Sequence, residues 1–344
     1  MYTQCEDLQE KLMTAWESSR TLQADRSPFL EFITSDANRN GINQVINPGG
    51  GKSKTLNLVY TPPILESTVS TQSDRACREG AGRADKVATY ELDTNVVYES
   101  SEAIAIADLT RVCSNNDAFV AERLAQHFVA IDQKVASVIA SQANALVGDY
   151  SADVVSALSL ANPDDLVVST LASGQYKAGA LELIQWAAEA SGFPNIVQFG
   201  GRLINEHVRL ALAGCCTQWG IDVSALLAEY GFASAYDRRV AAALGSVSTK
   251  SLIFQPGALQ LLTYTENEGL GTIGSFEMSS GNGYFTAFTP AGVPVDVTIV
   301  DRCKNFTIQV QTSAKLVGLP SDMFLTGDNQ AGVTGVGKVT VSNS

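Results

Sequence analysis

A Gly-Lys-Ser triplet at 51–53, two histidines and six cysteines are the places where chemistry could begin in this 344-residue chain. The triplet suggests a phosphate-binding loop, in which backbone amides and a lysine cradle a phosphate. That motif needs a glycine five residues before Gly51, and Ile46 stands there; it also needs a buried strand before it and a helix after it, and neither flank offers one. Gly269, Gly271 and Gly274 fit G-x-G-x-x-G, yet TYTENE before them is too polar for a core strand and SFEMSSGNG after them cannot open a helix. His127 borders an apolar helical stripe and is expected to be a packing histidine, while His207 beside Glu206 is expected at a surface. Cys5, Cys77, Cys113, Cys215, Cys216 and Cys303 contain no C-x-x-C pair, and two histidines with scattered thiols make no zinc set. Adjacent Cys215 and Cys216 are poorly placed to bridge to each other, so buried reduced thiols are expected. No G-x-S-x-G elbow is present. Asp164-Asp165 and Arg238-Arg239 read as solvated charge pairs, and Asn305-Phe306-Thr307 as a chance glycosylation triplet in a cytosolic chain. No catalytic residue, cofactor site or metal site is expected.

The elements that would position such residues are more distinctive. Residues 5–18 read as an amphipathic helix with Leu8, Leu12 and Trp16 spaced by four, and Ser27-Pro28 starts a second short helix. The segment 42–68 runs INQVI, a tip NPGGGKSK and then TLNLVYTPPIL. It reads as a long hairpin in which Leu56, Leu58 and Tyr60 alternate with Thr55, Asn57 and Val59. A lone two-stranded ribbon is marginal in water, so this one should lie across something else. Residues 85–112 are strand-like.

From Asn115 to Val147 there is no glycine or proline, and Val120, Leu124, Phe128, Ile131, Val135, Val138 and Leu146 recur every three or four residues. This predicts a helix over 115–147, with a cap among Ser114, Asn115 and Asn116 and Gly148 at its C′ position. At 1.5 Å per residue it would be a rod of roughly 48 Å. No partner helix of similar length follows, which disfavours a coiled coil. Beyond Tyr150 the chain is mixed: helical patterns at 177–191, 201–213, 222–230 and 236–244, and strands at 195–199, 251–254, 284–288, 293–301 and 305–312, the last two joined by a turn at Asp301–Lys304. The tail 326–344, rich in Gly, Thr, Val and Ser, reads as extended along a neighbour or disordered.

Hydrophobic residues make up 45% of the chain and charged residues 17%, below the roughly 25% usual for soluble chains. Surface hidden against partner subunits would account for this. The net charge of −13 argues against gripping nucleic acid through a basic face, though not against enclosing it. No run approaches the roughly 20 apolar residues of a membrane span. The opening MYTQCEDLQEKLM is unlike a signal peptide, so synthesis and residence in a cytoplasm are expected.

The order of these parts resembles the Hong Kong 97-type fold of tailed-bacteriophage major capsid proteins, over about residues 25–325. The resemblance is carried by the hairpin at 42–68, by YESSEAIAIADLTRVC leading into the long helix, and by IFQPGALQLLTYTE, GYFTAFTPAGVPVDVTIV and KLVGLPSDMF later in the chain. It implies an α+β chain with an N-terminal arm at 1–41 and an E-loop region at 42–78. A peripheral domain at 79–150 would be built on the spine helix and joined by returning strands near 294–316. An axial domain at 151–293 would be completed by about 317–325, followed by the tail at 326–344. The E-loop, with Lys52, Lys54, Leu56, Leu58 and Tyr60, would contact an adjacent subunit, while Val120, Leu124, Phe128, Ile131, Val135 and Val138 would pack the spine.

The implied function is a non-enzymatic subunit that self-assembles as hexamers and pentamers into an icosahedral head around double-stranded DNA. It would assemble in a host bacterial cytoplasm and reside in the virion. A portal and a separate scaffolding protein are implied partners, the latter because only about 40 residues precede the hairpin. No membrane or sequence-specific DNA contact is implied. Some family members cross-link a hairpin lysine, but Lys52 and Lys54 are expected to be merely solvated. Two other readings remain: an encapsulin-type compartment with the same fold, and a cytosolic α+β enzyme with its site in 151–293.

Overall fold

The computed structural model describes residues 26–35, 38, 46–47, 53–61, 85–105, 116–170, 180–193, 195–201, 232–265, 282–302, 305–323 and 332–343. The first element is helix α1 (Pro28–Thr34), started by proline at its first turn and capped by the Ser27 side chain, as the sequence suggests. Strands β1 (Ile46–Asn47), β2 (Ser53–Tyr60), β3 (Lys86–Asp93) and β4 (Tyr98–Ala105) follow, then helix α2 (Asn116–Ala145) and helix α3 (Ala152–Leu158). Next come β5 (Asp165–Thr170), α4 (Ala180–Ala190), β6 (Ile196–Gly200), β7 (Phe232–Tyr236) and α5 (Arg238–Ala243). The chain continues through β8 (Lys250–Phe254), β9 (Leu259–Tyr264), β10 (Asn282–Phe288), β11 (Pro294–Arg302) and β12 (Asn305–Gly318), and closes with β13 (Val336–Asn343). The class is α+β, as expected.

Three sheets organise these elements. One has the order β1-β2-β3. A second runs β10-β11-β12-β4, with β9 pairing the far half of the 14-residue β12. Residues 305–312 of β12 therefore return to pair with β4 of the first half of the chain. The third runs β5-β13-β8-β6-β7 and mixes parallel with antiparallel pairs.

The predicted long helix is present as the 30-residue α2. Leu124, Phe128, Ile131 and Val135 of its stripe are buried, and Val120 is half-buried against them. Val138 is not in the buried stripe; Ala136, Ile139 and Ala143 continue it instead, because a straight helix advances 3.6 residues per turn and the face drifts past position 138. This stripe packs on β12 and β4, forming the larger core with Val295, Val297, Ile299, Ile308 and Val310. An aromatic group joins that core to the third sheet: Phe29 lies edge-on to Phe199 and Phe254, whose own rings stack at 5.9 Å. A second core, built on Tyr150, Leu166, Ile184, Phe193 and Val339, fills the opposite face of the third sheet beneath α3 and α4.

Three expectations are corrected here. Residues 336–343 of the tail are not loose: β13 lies between β5 and β8, with Val336 facing one core and Val339 and Val341 the other. Its small side chains fit because both faces are crowded; a Cβ on Gly337 would meet the Tyr150 hydroxyl at 2.7 Å. That strand joins the sheet of 165–254, while 317–318 end β12 and a 3₁₀ turn follows at Ser321–Met323. Gly148 is not a left-handed cap. It is small because a Cβ there would meet Thr334 at 2.4 Å and the Gly332 carbonyl at 2.7 Å, and its amide bonds to the Val336 carbonyl. Asp164-Asp165 is not a solvated pair: Lys338 of β13 reaches Asp164 at 2.9 Å and Asp165 at 3.8 Å, and Asp165 is buried. The expected helices at 5–18, 201–213 and 222–230, the glycine cluster at 269–274, His207 and all six cysteines lie outside the described residues.

Candidate assembly surface

The described part of the predicted 42–68 hairpin pairs antiparallel: among the described residues β1 meets β2 over two residues, Ile46 opposite Leu56 and Asn47 opposite Thr55. The main partner of β2 is β3, which pairs with it along all eight residues from Ser53–Asp93 to Tyr60–Lys86. The ribbon is therefore built from segments on either side of residues 62–84, which lie outside the described residues, as does Lys52. The strand following residue 85 carries the same Val, Thr and Tyr alternation as β2, which was the signal for this pairing.

The two faces of the ribbon differ. Leu58 and Leu92 are buried, Tyr60 and Tyr90 half-buried, and Leu92 packs against Leu262 of β9 and Val317 of β12. At one end Tyr60 donates to Asp322 at 2.8 Å and Lys86 donates to the other oxygen of the same carboxylate. At the other end Lys315 donates to the Glu91 carbonyl at 2.7 Å. This face of 53–60 leans on the body of its own chain. Burial and the Asp322 hydrogen bond push Tyr60 up to about 12, and burial does the same for Tyr90. For Asp322 burial acts upward, but the hydrogen bonds from Lys86 and Tyr60 outweigh it and hold the carboxyl below its usual range.

The opposite face carries Thr55, Asn57, Thr89 and Glu91, with one apolar pair among them: Val59 lies directly across from Val87, and the two are 62% and 61% exposed. Among the predicted contact residues, Leu58 and Tyr60 thus face inward. For Lys54 and Leu56 only backbone positions are described, opposite Leu92 and Tyr90.

A second apolar surface, which sequence reasoning missed, lies on β10. This strand is the edge of its sheet among the described residues. Phe285 and Ala287 turn toward the core, while Tyr284 and Phe288 turn outward, 59% and 66% exposed. The strand, NGYFTAF, carries no charge. An uncharged sheet edge with outward aromatics exposes apolar area of a kind that soluble monomers avoid. The alternating aromatics of YFTAF are the signal that could have revealed it.

His127 is half-buried, with Nδ1 2.7 Å from the Ser100 hydroxyl and Nε2 facing Glu102 at 3.5 Å without hydrogen-bond geometry. Burial lowers its proton affinity more than Glu102 raises it. It packs α2 onto β4, as expected.

No protein-family model matches the chain, and no curated protein does. Solved structures of similar form exist at low identity. The capsid of Ralstonia phage GP4 is 12% identical, with 93% of this chain and 92% of that one covered and a TM-score of 0.47. The capsid of cyanophage P-SCSP1u is 11% identical, with coverages of 87% and 86% and a TM-score of 0.45. A virus-like particle from Pyrococcus furiosus is 11% identical, with coverages of 98% and 99% and a TM-score of 0.39.

Proposed function

We propose that this chain is a structural subunit of a self-assembling shell, a major capsid protein of the tailed-phage type with the Hong Kong 97-like organisation. The observation that carries the reading is the exposed apolar face of β10: a strand of seven uncharged residues whose Tyr284 and Phe288 stand in solvent until another surface covers them. The exposed Val59–Val87 pair on the ribbon is a second place where a neighbouring copy gains apolar area. The spine helix, the returning strands 294–318 and the ribbon are consistent with the arm, E-loop and peripheral and axial domains that the sequence resemblance implies. In this reading the exposed Val59–Val87 face of the β1–β3 ribbon lies against an adjacent subunit. Copies assemble as hexamers and pentamers, and the closed shell holds DNA without reading its sequence. The portal belongs to the same proposal, as does residence in the virion.

Electron microscopy and mass photometry of the purified protein test this. Capsomers or megadalton particles are expected; a monomer that persists to high concentration overturns the reading. The contents of any particles then separate a phage head, which holds DNA, from an encapsulin-type compartment, which holds protein.

A further inference from the structure

Two valines stand in solvent where local structure gives them no reason to be. Val96 and Val97 lie in the turn between β3 and β4, 49% and 45% exposed, whereas turns ordinarily carry Gly, Pro, Asn, Asp or Ser. The turn is pinned from within. The Asp93 carboxylate accepts from the Asn95 amide at 2.9 Å and from the Asn95 side chain at 2.7 Å, and the Val96 amide donates to the Asp93 carbonyl at 3.2 Å. β-Branched side chains on a pinned turn have little freedom left to lose on contact.

The register of the second sheet places this turn relative to β10. Glu99 of β4 pairs with Gln311, Gln311 with Asp296, and Asp296 with Thr286 of β10. Every step is antiparallel, so the residues before Glu99 and those after Thr286 run toward the same end of the sheet. Val97 and Phe288 therefore lie at one end of it, beside the first and last strands of the β10-β11-β12-β4 path. Three strand spacings, about 14 Å, separate those two strands.

We propose that the Val96–Val97 turn of one copy seats on Tyr284 and Phe288 of a second copy, as a head-to-tail contact between subunits of one capsomer. The inference rests on the shell reading and names the surface that covers β10 within it.

Ring symmetry, charge and size select this occupant. A ring of subunits needs two different patches on each subunit, because a patch that meets itself closes at a dimer. An apolar turn beside one outer strand and an apolar face on the other are such a pair. The valines are flanked by Asp93 and Glu99, which in a chain of net charge −13 need an uncharged surface to approach. β10 supplies one: it carries no charge, Thr298 and Pro294 stand across from Tyr284 and Phe288, and the acid between them, Asp296, is buried. Four side chains fall far short of the roughly 1,200 Å² of a stable interface. The contact therefore makes no lasting dimer and holds where a closed ring repeats it.

Photo-cross-linking tests the contact without presuming the partner. Phe288→benzoylphenylalanine is introduced into the full chain, and heavy-nitrogen-labelled subunits are mixed with unlabelled ones before assembly. The assembled protein is irradiated and the linked peptides are mapped by mass spectrometry. Mixed-label links from position 288 to 94–97 are expected. Links to 94–97 that never mix labels, links to the ribbon strands 53–60 and 86–93 or to 282–288 of the second copy instead, or no link would overturn the contact.

Val96→Ser with Val97→Ser is the second measure. Both sites are half in solvent, so the urea midpoint should stay at the wild-type value. Assembly scored by mass photometry should fall roughly fivefold or more, and assembly at the wild-type level would count against the contact. A chain that never assembles removes the shell reading and this contact together, whereas particles that form without the 94–97 link remove the contact alone.

Discussion

The Ser27 hydroxyl donates to the Asp237 carboxylate at 2.6 Å, across 210 residues of chain. The same carboxylate accepts from the Phe29 amide at the start of α1 and from the Arg239 and Val240 amides at the start of α5. One buried side chain thus satisfies the first amides of two helices from distant parts of the chain. Asp237→Ala removes a cap and strands buried donors, so it should cost about 2–4 kcal/mol. Asp237→Asn, which keeps an acceptor oxygen, should cost clearly less. Urea unfolding followed by circular dichroism reads the difference; equal losses for the two variants would show that the acceptor is not what matters.

Much of the fold was legible because local signals and tertiary demands agree. Ser27-Pro28 starts α1, the 3–4 spacing after Asn115 gives α2, the YFTAF pattern gives β10, and the Val/Ile alternation gives β11 and β12. Residues whose role depends on remote partners were not legible. Nothing near Asn38 says that it is fully buried, donating to Leu259 and accepting from Gly257 more than 200 residues away. The tail read as extended along a neighbour or disordered because its side chains are small, yet over 336–343 smallness is what a strand between two crowded faces requires. Asp132 was passed over, although a carboxylate on an apolar helical face is itself the signal. The inter-subunit reading of Lys54 and Leu56 still rests on the resemblance alone.

Removing the aromatics from the β10 edge should separate folding from association. Tyr284 and Phe288 are mostly in solvent, so Tyr284→Ser with Phe288→Ser should change monomer stability by only about 0.5 kcal/mol per site. Assembly into capsomers or particles, scored by mass photometry, should fall at least tenfold. A double variant that assembles like wild type would remove β10 from the interface.

Tyr60 and Lys86 meet on Asp322, tying the first and last paired residues of the ribbon to the turn after β12. Asp322 is partly exposed, so the tie is modest, and Tyr60→Phe should cost about 1 kcal/mol. Because its carboxyl is held below the usual range, the contribution is present at neutral pH and fades as pH falls into the acid range. Exchange of the 86–93 amides should therefore rise severalfold in Asp322→Asn at pH 7 while 336–343 is unaffected. No change at 86–93 would show that the apolar contact of Leu92 holds the ribbon unaided.

β13 predicts a sharper loss. Val339 is fully buried and pairs with Leu166 on one side and Ser251 on the other. Val339→Ala should cost about 2 kcal/mol through lost burial and the cavity left behind. Val339→Asp, placing a charge between two paired strands, should prevent soluble expression. If Val339→Asp folded normally, the 336–343 strand would not be seated between β5 and β8.

His127 and Asp132 sit five residues apart on α2 and pull stability in opposite directions over the same pH range. Burial lowers the proton affinity of His127 from its ordinary 6.5, so the unfolded chain takes that proton first and stability declines as pH falls through this region. Burial raises Asp132 to about 6, so the folded chain takes that proton first and stability grows as pH falls. The wild-type urea midpoint between pH 7.5 and 5.5 should therefore change less than either contribution alone would dictate. Asp132→Asn should lose more stability on acidification than wild type, and His127→Gln should lose less. Slopes that shift the same way in both variants would contradict the opposing assignment.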